Sequence, residues 1–143
     1  MIAVGDGIAQ WVCAAANVQF TPGMPALGCI VDGVPVAGVV YTDYTGTSIG
    51  IHSRCDDRKK ITREFFWAIF DYPFNQLGVK RLTGLVSTAN LEAQRVDEHL
   101  GFVEEARLAG YFADGDAIIY RMWKEDCRWL ALTPRYRKVK ETT

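Results

Sequence analysis

His52, Asp43 and Glu105 are the side chains of this 143-residue chain best suited to take a proton from an attacking nucleophile. An imidazole titrates near neutrality, so His52 could serve as a general base at physiological pH. Asp43 falls near the end of an apolar strand and Glu105 in a charged one, and an ionised carboxylate can accept a proton in the same way. The alternative for a lone strand histidine is a single structural hydrogen bond. Beside His52 runs Ser53-Arg54-Cys55-Asp56-Asp57-Arg58-Lys59-Lys60-Ile61. The cations Arg54, Arg58, Lys59 and Lys60 could hold an anionic ligand by charge-assisted hydrogen bonds; a solvated connector is the alternative. Cys55 lies among these charges, where basic neighbours can lower a thiol's pKa. Asn90 both donates and accepts, which suits it to a polar ligand or to a helix cap. Arg95, further along the same helix, faces a ligand or solvent.

The elements that must position these residues follow from spacing. Asp6 is placed to cap a helix from Gly7 to about Asn17, with Ile8, Trp11, Val12 and Ala15 on its apolar face. Ala26 to Val31 and Val34 to Tyr44 read as strands joined by the hairpin pair Asp32-Gly33. Thr47 to Ser53 completes an antiparallel meander. A helix from about Ile61 to Leu77 carries Ile61, Phe65, Ile69 and Tyr72 in one stripe, with Pro73 set to interrupt it. The strand Lys80 to Ser87 follows that helix, so it should run parallel to an earlier strand. The helix from about Ala89 to Leu100 should bury Ala93, Val96 and Leu100. Val103 to Phe112 and Ala117 to Trp123 read as a closing hairpin.

Composition narrows the class. Sixteen basic and seventeen acidic residues give a formal net charge of −1, which argues against a dedicated nucleic-acid binder. The start carries no cation ahead of an apolar run, and no apolar run approaches the ~18 residues that span a bilayer. The expectation is a soluble, cytoplasmic protein. Cys13, Cys29, Cys55 and Cys127 form no C-x-x-C pair, so no metal site is expected. Residues 1–130 read as one domain, and 131–143 as a basic tail holding Arg135, Arg137, Lys138 and Lys140.

The stretch from Ser87 to Gly115 carries a resemblance. Asn90, Ala93, Gly101, Phe102 and Glu105 fall on the spacing N-x-x-A-x-x-x-x-x-x-x-G-F-x-x-E-G, with Ala106 where glycine is usual. Together with the order of elements, this resembles the GNAT superfamily of acyl-CoA N-acyltransferases, most strongly over residues 61–130. Asp71-Tyr72-Pro73-Phe74, Gln76-Leu77-Gly78 and Cys127-Arg128-Trp129-Leu130 look like short phage-encoded members, themselves similar to ribosomal-protein N-terminal acetyltransferases. The resemblance implies an α/β fold: a mixed, mostly antiparallel twisted sheet with helices on both faces. That sheet should splay between the strands at 47–53 and 80–87.

It also implies direct transfer of an acetyl group from acetyl-CoA, without a metal, to a primary amine on a protein N-terminus or a small molecule. The protein would be a monomer or homodimer. Residues 53–61 would contact the coenzyme's phosphates, Asn90 the pantetheine arm, and Arg95 the coenzyme. Two departures stand out. The family's phosphate loop, Q/R-x-x-G-x-G/A, has no glycine here. Asp97 stands where many members place a tyrosine that protonates the leaving thiolate, and an ionised aspartate cannot do so. The alternative is an inactive GNAT-fold module for phage or host interactions.

Overall fold

The computed structural model describes residues 1–132; Arg135, Arg137, Lys138 and Lys140 of the expected tail lie outside them. The elements are β1 (Ile2–Val4), α1 (Asp6–Ala16), β2 (Ala26–Val31), β3 (Val34–Thr42), β4 (Ser48–Cys55), α2 (Arg63–Asp71), β5 (Arg81–Ser87), α3 (Leu91–Leu100), β6 (Val103–Phe112) and β7 (Gly115–Trp123). The strands form one sheet in the order β1-β2-β3-β4-β5-β7-β6. Every pair is antiparallel except β4–β5. The α2 crossover makes that parallel pair possible, because a tight turn cannot join parallel neighbours.

Local chemistry explains the meander. Asp32 and Gly33 both take positive φ, 52° and 75°, the backbone that a two-residue hairpin turn demands. One face of the sheet carries α1, which buries Ala9, Val12 and Cys13 against Ala26 and Val40. The opposite face carries α2, whose Phe65, Ile69 and Phe70 pack with Leu82, Ile118, Tyr120 and Met122 in the larger core. Trp129 closes that core: its ring stacks on Phe66 at 4.9 Å, and its indole N–H donates to the Leu100 carbonyl at 2.8 Å.

Three details differ from the reading of the sequence. Asp6 does not cap α1; Gly5 holds the cap, and the Asp6 carboxylate accepts from the Gly23 N–H at 2.9 Å, tying the 21–25 loop to the helix start. The helix expected to run to Leu77 keeps α geometry only to Asp71 and continues as a π-helical turn over Tyr72–Gln76. Pro73 has no N–H to donate, and the next turn closes from the Leu77 N–H to the Tyr72 carbonyl, five residues back, at 3.0 Å. Ala93, Val96 and Leu100 of α3 are half-buried, not buried, because α3 lies along the rim of a cleft.

Candidate functional site

β4 and β5 pair only at Ser48–Arg81, Ile49–Leu82 and Gly50–Thr83, then part. From Ile51 onward β4 has lost its neighbour on that side, so alternate backbone N–H groups of its last residues face the gap. A cavity of about 300 Å³ fills it, running from Asn17 at the end of α1, past His52 and Ser53, to Asn90 and Asp97 of α3. Since α1 and α3 lie on opposite faces, this opening connects the two sides of the sheet.

His52 stands on the gap with its Nε2 2.9 Å from the Thr42 hydroxyl. Burial lowers its pKa below the usual histidine value, and the charge of Asp43 opposes that shift. The ring is therefore neutral at pH 7, with one nitrogen able to accept a proton. Asp43 is exposed and lines a smaller pocket of about 220 Å³ with His52, Thr83 and Leu85. Of the proposed bases, these two are neighbours.

Glu105 is not brought to this place. It grips Arg81 with both oxygens, at 3.1 and 2.9 Å, and meets Arg121 at 3.5 Å. The hydrogen bonds from Arg81, with the charges of Arg81 and Arg121, hold its pKa below the ordinary glutamate value. It lines neither the gap nor the neighbouring cavities. The E of the Gly-Phe motif here clamps three strands together.

Asp97 is the residue that sequence reasoning set aside. It lies on the gap, and its carboxyl is pushed up to about 7, first by burial and then by the charge of Glu98. Gly84 gives it room: a Cβ at that position would lie 3.3 Å from the Asp97 Oδ2. A large fraction of Asp97 is thus protonated at neutral pH and able to donate, against the expectation drawn from an ionised side chain. Burial under the sheet leaves no mark in the local sequence.

A groove of about 810 Å³ runs between the start of α2 and α3, with Phe65, Phe66, Ile69 and Val96 as its apolar floor. Arg58, Lys59, Ile61 and Arg95 stand along it, as does Ser53, which also lines the gap, so groove and gap meet there. Arg54 is already engaged. Its guanidinium donates to the Trp11 carbonyl at 2.8 Å, binds both oxygens of Asp56 at 3.0 and 3.1 Å, and lies 4.0 Å from the Trp11 ring centre. It fastens β4 to α1 and is no free phosphate ligand. Lys60 pairs with Asp57 at 3.8 Å and lies off the groove lining.

The backbone of this loop is largely spent as well. The N–H groups of Asp56 and Asp57 both donate to the Val36 carbonyl, and those of Lys60 and Ile61 close the turn at 58–60. The site can therefore bind an anion mainly through the side chains of Arg58, Lys59 and Arg95. Cys55 is exposed, and burial at the groove wall together with the Asp56 charge raises its thiol pKa instead of lowering it. The Asn90 carboxamide oxygen caps α3, accepting from the Ala93 N–H at 3.1 Å, while the residue lines the gap.

No protein-family model and no curated protein matches the sequence. Solved structures do. A mutant form of the spermidine/spermine N-acetyltransferase SpeG from Vibrio cholerae superposes with a TM-score of 0.69 at 15% identity, covering 94% of this chain and 99% of that one. The fold is that of the GNAT acetyltransferases. A chimera of Vibrio cholerae SpeG with hSSAT matches at TM-score 0.61 and 18% identity over 82% of this chain and 74% of the other. The ribosomal-protein-S5-alanine acetyltransferase of Vibrio fischeri matches at 0.59 and 20% identity over 73% and 64%. No helix among the described residues is long and apolar enough to cross a membrane. Among the same residues, no three His, Cys, Asp or Glu side chains stand together in a way that could hold a metal ion.

Proposed function

We propose that this protein transfers an acetyl group from acetyl-CoA to a primary amine. The observation that carries this reading is the meeting of groove and gap at Ser53. A cationic groove with an apolar floor suits a ligand that is phosphate at one end and a pantetheine chain at the other. Arg58, Lys59 and Arg95 would hold the phosphates. The unpaired N–H groups of β4 would meet the charge that develops on the thioester oxygen, and such preorganised donors stabilise an oxyanion strongly. Asn90 would hold the pantetheine arm with its remaining amide.

The amine nitrogen bonds to the thioester carbonyl carbon and the carbon–sulfur bond breaks. His52 accepts the proton the amine loses, and Asp97 supplies one to the leaving sulfur, giving an amide and a thiol. The assignment follows from environment: two groups in one cavity, a neutral imidazole and a protonated carboxyl, are matched as base and acid. No protein nucleophile is needed. Cys55, with its raised pKa, takes no part.

The lining of the gap favours a cationic acceptor. Besides the neutral His52 and the protonated Asp97 it carries Asp114 and no lysine or arginine, and Asp43 stands just beyond it. Two of the similar structures are named for spermidine and one for the alanine of a ribosomal protein. Both kinds of acceptor carry an amine, and the polyamine suits this lining better. The test follows thiol release and the acetyl mass gain of the amine, with acetyl-CoA and three acceptors: spermidine, an alanine-starting neutral peptide and a glutamate-rich peptide. Turnover should be fastest with spermidine and slowest with the acidic peptide. Failure to acetylate any of the three would overturn the reading.

A further inference from the structure

A cavity of about 540 Å³ lies beyond the coenzyme groove, between β1, the 21–25 loop and the end of α2. It shares no lining residue with the groove, the gap or the pocket at Asp43. We propose that it is a second ligand site, built for an organic cation: an ammonium or guanidinium group carried on an apolar chain.

The cavity wall holds a buried charge. Asp71 is 6% exposed and is the one buried charged side chain among the described residues. Its two carboxylate oxygens accept from the Asn75 and Gln76 side-chain amides, each at 2.9 Å. Those neutral donors fix the carboxylate in place but leave its charge unbalanced, and a buried charge without a counter-charge is costly. Asp71 forms no ion pair among the described residues, and the cavity it lines contains no lysine, arginine or histidine. Asp6, across the cavity, adds a second carboxylate.

Tyr72 lines the cavity beside Tyr41, their rings 5.1 Å apart, and Ile2, Met24 and Leu27 complete an apolar surface. A tyrosine face attracts a cation, and the attraction grows when the cation is desolvated. The π-helical turn over Tyr72–Gln76 folds Gln76, five residues on, back to the Asp71 carboxylate, with Tyr72 on the lining of the same cavity. Single π turns inside helices recur at functional sites. An anion would be repelled here, and a neutral chain would leave the charge unanswered.

The test is calorimetric titration of the full-length protein with hexyltrimethylammonium bromide, and with n-hexanol as the neutral chain of similar length. The quaternary nitrogen has no proton to lose and cannot be acetylated, so turnover in the gap adds no signal. The cation should bind in the millimolar range, and hexanol about tenfold more weakly. Tyr72→Leu, which keeps an apolar side chain and removes the aromatic face, should weaken the cation about threefold to fivefold. Asp71→Asn should weaken it more. Because Asp71→Asn removes a buried anchor and could fail to fold, Asp6→Asn serves as an independent charge variant with the same expected direction. Equal binding of hexanol and the cation would overturn the proposal, as would unchanged cation affinity in both Tyr72→Leu and Asp6→Asn.

Discussion

The groove and the gap are two ends of one opening, and their charges are opposite. Along the groove Arg54 cancels Asp56, and Lys60, just off the lining, cancels Asp57, leaving Arg58, Lys59 and Arg95 against Glu92. In the gap His52 is neutral and Asp97 largely holds its proton, so Asp114 supplies the negative charge, with no lysine or arginine on the lining. That contrast would let one splayed sheet take the proposed anionic coenzyme and cationic acceptor without either competing for the other's place. It also separates two kinds of residue. On the proposed function, groove residues would act by charge and should alter binding, whereas gap residues would act by proton transfer and should alter turnover.

The sharpest way to break that comparison is at Asp97. Asp97→Asn removes the donor and should lower kcat about 10²-fold to 10⁴-fold, the usual worth of a general acid, with little change in acetyl-CoA affinity. The wild-type rate should fall on the alkaline side of about pH 7, where Asp97 loses its proton. Asp97→Tyr should restore part of the rate and carry that limb towards the phenol range near ~10. A pH–rate series on the three proteins checks this.

The same group predicts a stability effect. Its native pKa of about 7 exceeds the unfolded value near ~3.9, so the folded protein holds the proton more tightly. Its contribution is complete below about pH 4 and is lost as pH rises to about 7. Asp97→Asn should therefore melt above wild type at pH 8, by up to about 4 kcal/mol in stability, and lose that advantage by about pH 4. Melting temperatures across that range decide it; an advantage independent of pH would contradict the buried, protonated carboxyl.

A smaller effect sharpens the acidic side of the comparison. Asp114 lines the gap and accepts from the Ser87 hydroxyl at 2.8 Å. Asp114→Lys should raise the KM for spermidine about fivefold at low salt, and less as salt screens the field. The KM for a neutral peptide should hardly move. Smallest of all should be the loss of caps. Thr62 accepts from the Phe65 N–H at 3.2 Å and Asn90 from the Ala93 N–H at 3.1 Å. Alanine at either should cost ~1 kcal/mol in a denaturant melt. Only Asn90→Ala should also weaken acetyl-CoA, about twofold to tenfold.

Much of the scaffold was legible in the sequence because its signals are local. The Asp32-Gly33 turn, the α2 crossover that forces β5 parallel to β4, and the Gly101-Phe102 stop of α3 all depend on neighbours in the chain. The misread residues depend on distant partners. Arg54 reads as a phosphate ligand until the Trp11 carbonyl, 43 residues away, claims it. Glu105 reads as a base until Arg81 and Arg121 bind it from two other strands. Asp97 reads as ionised until the fold partly buries it and desolvates its carboxyl beside Gly84. In each case the decisive term is desolvation or pairing across the sheet, which spacing along the chain does not encode.

The claim on which the account rests is that the cationic groove receives acetyl-CoA. Calorimetric titration of acetyl-CoA into wild type and into the double variant Arg58→Glu, Lys59→Glu, at low salt, tests it most directly. Wild type should bind, and the double variant should bind more than about tenfold more weakly, because charge-assisted hydrogen bonds contribute about 1.5–3 kcal/mol each. Equal affinity in the two proteins, or no binding by wild type at millimolar acetyl-CoA, would contradict it.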